Sequence, residues 1–198
     1  MCGRFYVDET TVKEIEKLVR DIDRRTRMEF AGDICPSQVA FVLTGKKEEL
    51  SLEEMFWGFP QRDRKGLLIN ARAETVLERP LFRESVQKRR CVVPARGYYE
   101  WDASGDKTDF SGESQPVLYM AGIYNLFEGR ERFVVLTTEA NETVRNVHHR
   151  MPLILEEEEV ESWIYDDGFL PFLLQKIPPR LTRHQEYEQQ SLLELLES

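Results

Sequence analysis

Early in the chain the apolar residues keep helical spacing. In "TTVKEIEKLVRDIDRR", Val12, Ile15, Leu18, Val19 and Ile22 fall on one stripe among charged residues, which predicts an amphipathic helix capped by Asp8 or Thr10. A short strand over Arg4 to Val7 leads into it. The pattern then shifts to compact apolar runs. "QVAFVLTG" and "EEMFWGF" predict strands, "RPLFRESVQKR" a helix, and "RCVVPARGYYEWD" a strand, a bend punctuated by Pro94 and Gly97, and a second strand. From Asp102 to Gln115 the polar, Gly/Ser-rich "DASGDKTDFSGESQ" reads as a loop. "PVLYMAGIYNLF" and "RFVVLTT" predict a hairpin across "EGRE", while "NETVRNVHH" and "EEEEVESWIYD" each predict a short helix.

Several strands with helices scattered between them, and no regular βαβ alternation, predict an α+β fold on mixed or antiparallel sheet. Nothing repeats and no Pro/Ser-rich linker divides the 198 residues, so one domain is expected over residues 1–198. With 41% hydrophobic and 32% charged residues, the chain has the composition of a globular protein rather than a disordered one.

No basic segment followed by an apolar stretch opens the chain, and no run of about 18 apolar residues occurs. A cytoplasmic protein with no membrane partner is expected, nucleoid-associated if its source is bacterial. Cys2, Cys35 and Cys91 lack CxxC spacing, which predicts free thiols rather than a disulfide framework or a zinc site. The adjacent His148 and His149 lack the spacing of a helical metal pair, and there is no Gly-rich phosphate loop or GxSxG elbow. Neither metal nor cofactor is expected. The net charge of −9 argues against a uniformly basic, nucleic-acid-binding surface. Acidic residues cluster late, however, in "EEEEVES" and the final "EYEQQSLLELLES", whereas Arg4, Arg72, Arg96 and Arg150 sit among small-residue motifs. A locally basic groove is compatible with that distribution.

The opening "MCGRF" carries distinctive chemistry. If Met1 is removed, Cys2 presents an α-amine and a thiol on one residue. An α-amine titrates near about 7.7 to 8.0, against about 10.4 for a lysine, so an appreciable fraction is neutral and nucleophilic at neutral pH. Its attack on a carbonyl gives a Schiff base, and the neighbouring thiol then closes a five-membered ring on the same carbon. Each candidate taken alone also has an ordinary structural role. Cys2 suits a small buried position, "HHRMP" a satisfied turn, "GYYEW" a strand with a solvent-facing glutamate, and "INARAET" an irregular edge with a helix cap.

Their joint order is more specific. "MCGRF", "ICPSQ" at 34–38, "FWGF" at 56–59, "NARAET" at 70–75, "CVVPARGYYEW" at 91–101, "LTTEAN" at 136–141 and "HHRMPLIL" at 148–155 follow one another. From residue 2 to roughly residue 165 the chain resembles the SRAP family, named for SOS-response-associated peptidase. The resemblance implies a barrel-like mixed or antiparallel sheet with peripheral helices, and a DNA-damage protein that covalently captures abasic sites in single-stranded DNA through a thiazolidine on its mature N-terminal cysteine. Carried onto this sequence, it implies that Cys2 is the nucleophile, Asn70 orients the cysteine or the sugar, Glu100 moves protons, and His148 assists ring opening. Arg4, Arg72 and Arg150 become phosphate contacts, Pro36 and Ser37 the loop approaching the lesion, and Trp57 and Phe59 stacking or wedging groups, with core packing the competing role for Trp57.

Two stretches depart from the family pattern: the compact, polar "FWGFPQRDRKG" and the segment after Asp166. Two other functions remain open at this level. The same Cys, Asn, Glu and His set would serve an N-terminal-nucleophile peptidase, with removal of Met1 as self-processing. A noncovalent single-strand-binding or scaffold protein would need no reactive cysteine.

Overall fold

The computed structural model describes residues 2–19, 31–46, 49–61 and 65–185. Ile22 of the predicted helical stripe and the acidic tail beyond 185 lie outside the described residues. Strand β1 (Phe5–Val7) alternates inward and outward side chains, and helix α1 (Glu9–Leu18) follows at once. The Asp8 carboxylate caps α1, accepting from the Thr11 N–H at 2.9 Å and the Thr11 hydroxyl at 3.1 Å. Ile15 and Val19 of the predicted stripe are buried.

The chain continues through β2 (Gly32–Ile34), β3 (Val39–Lys46), β4 (Glu49–Trp57), β5 (Phe59–Pro60), β6 (Leu67–Leu68), β7 (Asn70–Arg72) and α2 (Pro80–Lys88). Strands β8 (Arg90–Ala95), β9 (Gly97–Trp101), β10 (Lys107–Gly112), β11 (Leu118–Phe127) and β12 (Arg130–Glu139) come next. The last elements are β13 (Arg150–Pro152), β14 (Ile154–Leu155), α3 (Val160–Tyr165), α4 (Leu170–Leu173) and β15 (Leu181–Gln185).

Strands β4, β3, β8, β11 and β12 pair in that order, and β12 returns to β4, closing a five-stranded ring. A second, antiparallel sheet runs β15-β10-β9-β1-β2. This is the expected α+β class with a barrel-like core. The closing contact is parallel: β4 meets β12 at Trp57–Phe133, and β7 extends the same line with Asn70 opposite Val135 and Arg72 opposite Thr137. Between them the chain leaves at Gly58, whose φ of +108° and N–H bond to the Phe133 carbonyl at 2.8 Å make the exit turn. Every residue of β8 is buried, because helices α2 and α3 pack over it: Arg90 donates to the Val86 carbonyl at 3.1 Å, and Trp163 Nε1–H donates to the Cys91 carbonyl at 2.9 Å.

Two predicted elements differ. Lys107–Gly112, read as loop, is strand β10. It alternates Thr108 and Phe110 inward with Lys107 and Asp109 outward, and one aromatic among polar residues gives too little apolar signal to be seen in sequence. Residues 142–147, read as helix, form successive turns. Asn141 pins their start, donating to the Pro178 and Pro179 carbonyls at 3.1 and 2.8 Å, and Arg150 must already enter β13, so the segment stops before helical propagation repays nucleation.

Trp57 is wholly buried: its ring stacks on Phe133 at 6.1 Å, Phe5 tilts against it at 5.1 Å, and Nε1–H donates to the Ile69 carbonyl at 3.0 Å. Truncation would open a cavity where the two sheets meet. Trp57→Ala is expected to destabilise the protein by about 3–5 kcal/mol in urea unfolding; a loss below about 1 kcal/mol would contradict this packing.

Candidate active site

The residues ahead of β1 stay beside β9, because the Tyr99 N–H donates to the Arg4 carbonyl at 2.9 Å. Cys2 is thereby buried completely, at an end of a chain that would ordinarily fray. Asn70, the first residue of β7, reaches it from the other sheet: Asn70 Nδ2 donates to the Cys2 carbonyl at 2.9 Å. On β9, Tyr98 and Glu100 occupy the inward face and are buried, and Thr108 of β10 stands opposite Glu100. Cys2 Sγ lies 3.9 Å from the Arg4 carbonyl. Among the described residues, the buried Asn70 Oδ1, Tyr98 hydroxyl and Thr108 hydroxyl make no hydrogen bond. Buried polar atoms are ordinarily paired; these three stand on β7, β9 and β10.

The electrostatics follow from burial. Loss of solvent raises the Cys2 thiol, and the Glu100 carboxylate raises it further, so the sulfur keeps its proton at neutral pH. Glu100 itself is pushed above the ordinary carboxylate range by burial. The Tyr98 hydroxyl is raised by burial, with the charges of Cys2 and Glu100 adding to it.

His148 stands on the turn entering β13. Its Nδ1 accepts from the Arg150 N–H at 2.9 Å, its ring stacks on His149 at 4.4 Å, and burial lowers its pKa. Arg150 is buried and engaged: its guanidinium donates to both Glu74 oxygens at 2.7 and 2.8 Å and to the Thr137 carbonyl at 2.5 Å. Burial, the largest single influence on Glu74, works against its ionisation, but the Arg150 hydrogen bonds, a backbone hydrogen bond and the charges of Arg150 and Arg72 together outweigh it and hold the carboxyl below its ordinary range.

The structure therefore brings Cys2, Asn70 and Glu100 into one buried cluster and ties His148 through Arg150 to Glu74, on the same segment as Asn70. Three sequence assignments are corrected. Arg150 is a buried ion-pair partner rather than a surface phosphate contact. Trp57 and Phe59 are wholly buried, Phe59 against Phe82 and Phe127, so neither offers a ring face to a base.

The other expected contacts lie at the surface. Arg72 is exposed, and Arg4 is partly exposed, 3.9 Å from Asp33 and 5.7 Å from the centre of the Trp101 ring. Pro36 and the exposed Ser37 form a tight turn with Ser37 at φ +74°, anchored by the Ser37 N–H on the Trp57 carbonyl at 2.9 Å. Sequence reasoning passed over Glu74, Tyr98 and Thr108, although the first two stand inside the quoted "NARAET" and "GYYEW" motifs. Among the described residues no group of three or more His, Cys, Asp or Glu side chains could hold a metal ion, and no helix is long and apolar enough to cross a membrane.

Comparison with known proteins supplies the family. The chain is 28% identical to abasic site processing protein YoaM of Bacillus subtilis over 194 residues, covering 89% of this chain and 85% of that one. It is 31% identical to abasic site processing protein YedK of Escherichia coli over 177 residues, covering 83% and 79%. A crystal structure of a protein from Bacteroides thetaiotaomicron superposes with a TM-score of 0.77 at 24% identity over 93% of this chain and 91% of the other, a likeness of fold. The family model for SOS response associated peptidase matches residues 1–185, and the chain belongs to the SRAP family.

Proposed function

We propose that this protein processes abasic sites in DNA by covalent capture, using Cys2 after removal of Met1. The observation that carries the reading is the hold on residue 2, whose carbonyl is fixed by Asn70 while its thiol lies buried within the field of Glu100. The α-amine adds to the ring-opened sugar aldehyde to form a carbinolamine. Glu100, raised by burial towards the pH at which it can exchange protons, protonates the departing hydroxyl as water leaves and the imine forms. The thiol S–H then adds across the imine: sulfur bonds to carbon, the proton passes to nitrogen, and the thiazolidine closes with one water lost overall. Nearness of the thiol to the imine carbon drives closure without a resting thiolate.

The raised thiol favours this reading over the peptidase one. A cysteine nucleophile that attacks as thiolate is favoured by cationic neighbours that lower its pKa; burial and a carboxylate do the opposite. Single-stranded DNA is the proposed substrate, with Arg4 and Arg72 on its phosphates, the Pro36–Ser37 turn against the strand, and the exposed Trp101 in the stacking role the buried Trp57 does not fill.

Incubation with single-stranded oligonucleotides, with and without one abasic site, is expected to give a denaturant-resistant band only with the abasic strand. Absence of the band sinks covalent capture. Before the covalent step, affinity for unmodified strand should fall with salt, and Arg72→Ala should lower both affinity and salt slope, the slope by roughly 0.7. An unchanged slope removes Arg72 from the phosphate contacts.

Glu100→Gln should slow crosslinking roughly a hundredfold while strand affinity stays nearly constant. The same variant has a pH signature. A carboxyl raised in the folded state stabilises fully below its unfolded value of about 4.3, and that contribution is lost as pH rises through the folded value. The always-neutral glutamine does not lose it, so the variant's stability relative to the parent should rise from about pH 4 to about pH 7.5 in urea unfolding. A difference that is flat with pH contradicts the burial of Glu100.

A further inference from the structure

Glu74 follows Arg72 by two residues, in the short turn that continues strand β7, and the capture chemistry gives it no task. Its carboxylate takes both guanidinium bonds of Arg150, at 2.7 and 2.8 Å, and Arg150 is buried. Such a bidentate pair fixes the arginine in plane as well as in place. The Thr137 carbonyl takes a third bond at 2.5 Å, so the guanidinium bridges the turn after β7 to the C-terminal part of β12.

The backbone of Arg150 completes the chain of contacts. Arg150 pairs with Glu139 of β12, and the flanking Ala140 N–H donates to the His149 carbonyl at 3.1 Å, which leaves the Arg150 N–H directed away from β12. That N–H donates to His148 Nδ1 at 2.9 Å; the Arg150 carbonyl lies farther from the same nitrogen, at 3.2 Å. With the amide proton at the shorter of the two distances, Nδ1 is assigned as the acceptor, which places the imidazole proton on Nε2. Partial burial of His148 disfavours the doubly protonated ring and so keeps it neutral, without selecting between the two tautomers.

We propose that Glu74 is a positioning residue: through Arg150 it holds the neutral His148 ring in the Nε2–H form, so that the ring offers a proton donor to the sugar oxygen during capture. The inference rests on the reading of His148 as a participant in abasic-site capture. Glu74 and Asn70 then act as one unit. The strand segment that carries the amide fixing Cys2 also carries the carboxylate fixing the histidine, and their relative placement is set within five consecutive residues.

The test combines two readouts on the full chain. In nitrogen-15 NMR of histidine-labelled protein, the parent should show His148 in a single Nε2–H form. Glu74→Ala should give a mixture of tautomers and crosslink abasic oligonucleotide roughly tenfold more slowly in single-turnover assays, with affinity for unmodified strand within about twofold. Glu74→Gln, whose carbonyl oxygen accepts in place of the carboxylate without its charge, should fall between parent and alanine variant on both readouts; it carries the test if the alanine variant does not fold.

A parent His148 protonated at Nδ1 overturns the proposal. So do variants that crosslink at the parental rate, and so do variants that slow while His148 keeps its single Nε2–H form, since that pattern is merely structural. If the parent fails to crosslink at all, abasic-site capture is what fails; the tautomers of parent and variants still decide whether Glu74 governs His148.

Discussion

The hydrogen bond from Asn70 Nδ2 to the Cys2 carbonyl ties the sheet that forms the ring to the segment leading into the second sheet, at the residue on which the proposed chemistry depends. Chain ends fray unless tied down. Here the tie is double, with Arg4 held by the edge of β9 and Cys2 by an amide at the start of β7. The second tie exists because of how the ring closes. Strand β12 is long enough to pair with β4 at Phe133 and then with β7 at Val135; the chain leaves this line at Gly58 and rejoins it at Ile69. Asn70 therefore meets β12 at the start of a fresh strand, with its side chain on the cysteine.

Burial then sets the protonation states as a group. It raises the Cys2 thiol, the Glu100 carboxyl and the Tyr98 hydroxyl and lowers His148, so each is drawn towards its uncharged form. A cluster of neutral, hydrogen-bonding groups would suit the proposed proton shuffling between amine, alcohol and thiol better than attack by a standing thiolate. A strongly ionic feature nearby, Glu74 with Arg150, is internally paired: two hydrogen bonds join carboxylate and guanidinium and offset part of the cost of desolvating the buried arginine.

Much of this was legible in the sequence, and the limits have physical reasons. Strands β3, β8, β11 and β12 are apolar runs several residues long between turn signals, and helices α1 and α2 show a clear stripe, so their order and the α+β class could be read directly. Strands of two or three residues such as β7 and β13 carry no period at all. The motifs singled out Cys2, Asn70, Glu100 and His148 as residues, but the convergence of the first three depends on pairing across sheets that no local pattern encodes. Trp57 in a strand reads alike whether it faces a base or a core. Arg150 reads as a free cation until its partner 76 residues away is known.

The central claim is that amine and thiol of one residue act on one carbon. It is tested most directly by comparing the mature protein, Cys2 first, with a version bearing a retained residue ahead of Cys2, each mixed with abasic oligonucleotide and analysed by intact mass with and without borohydride. The extension leaves the thiol in place but turns the amine into an amide whose lone pair is delocalised. The account predicts an adduct one water lighter than protein plus oligonucleotide for the mature form, and neither stable adduct nor borohydride-trapped imine for the extended one. Equal crosslinking by the extended protein would contradict it.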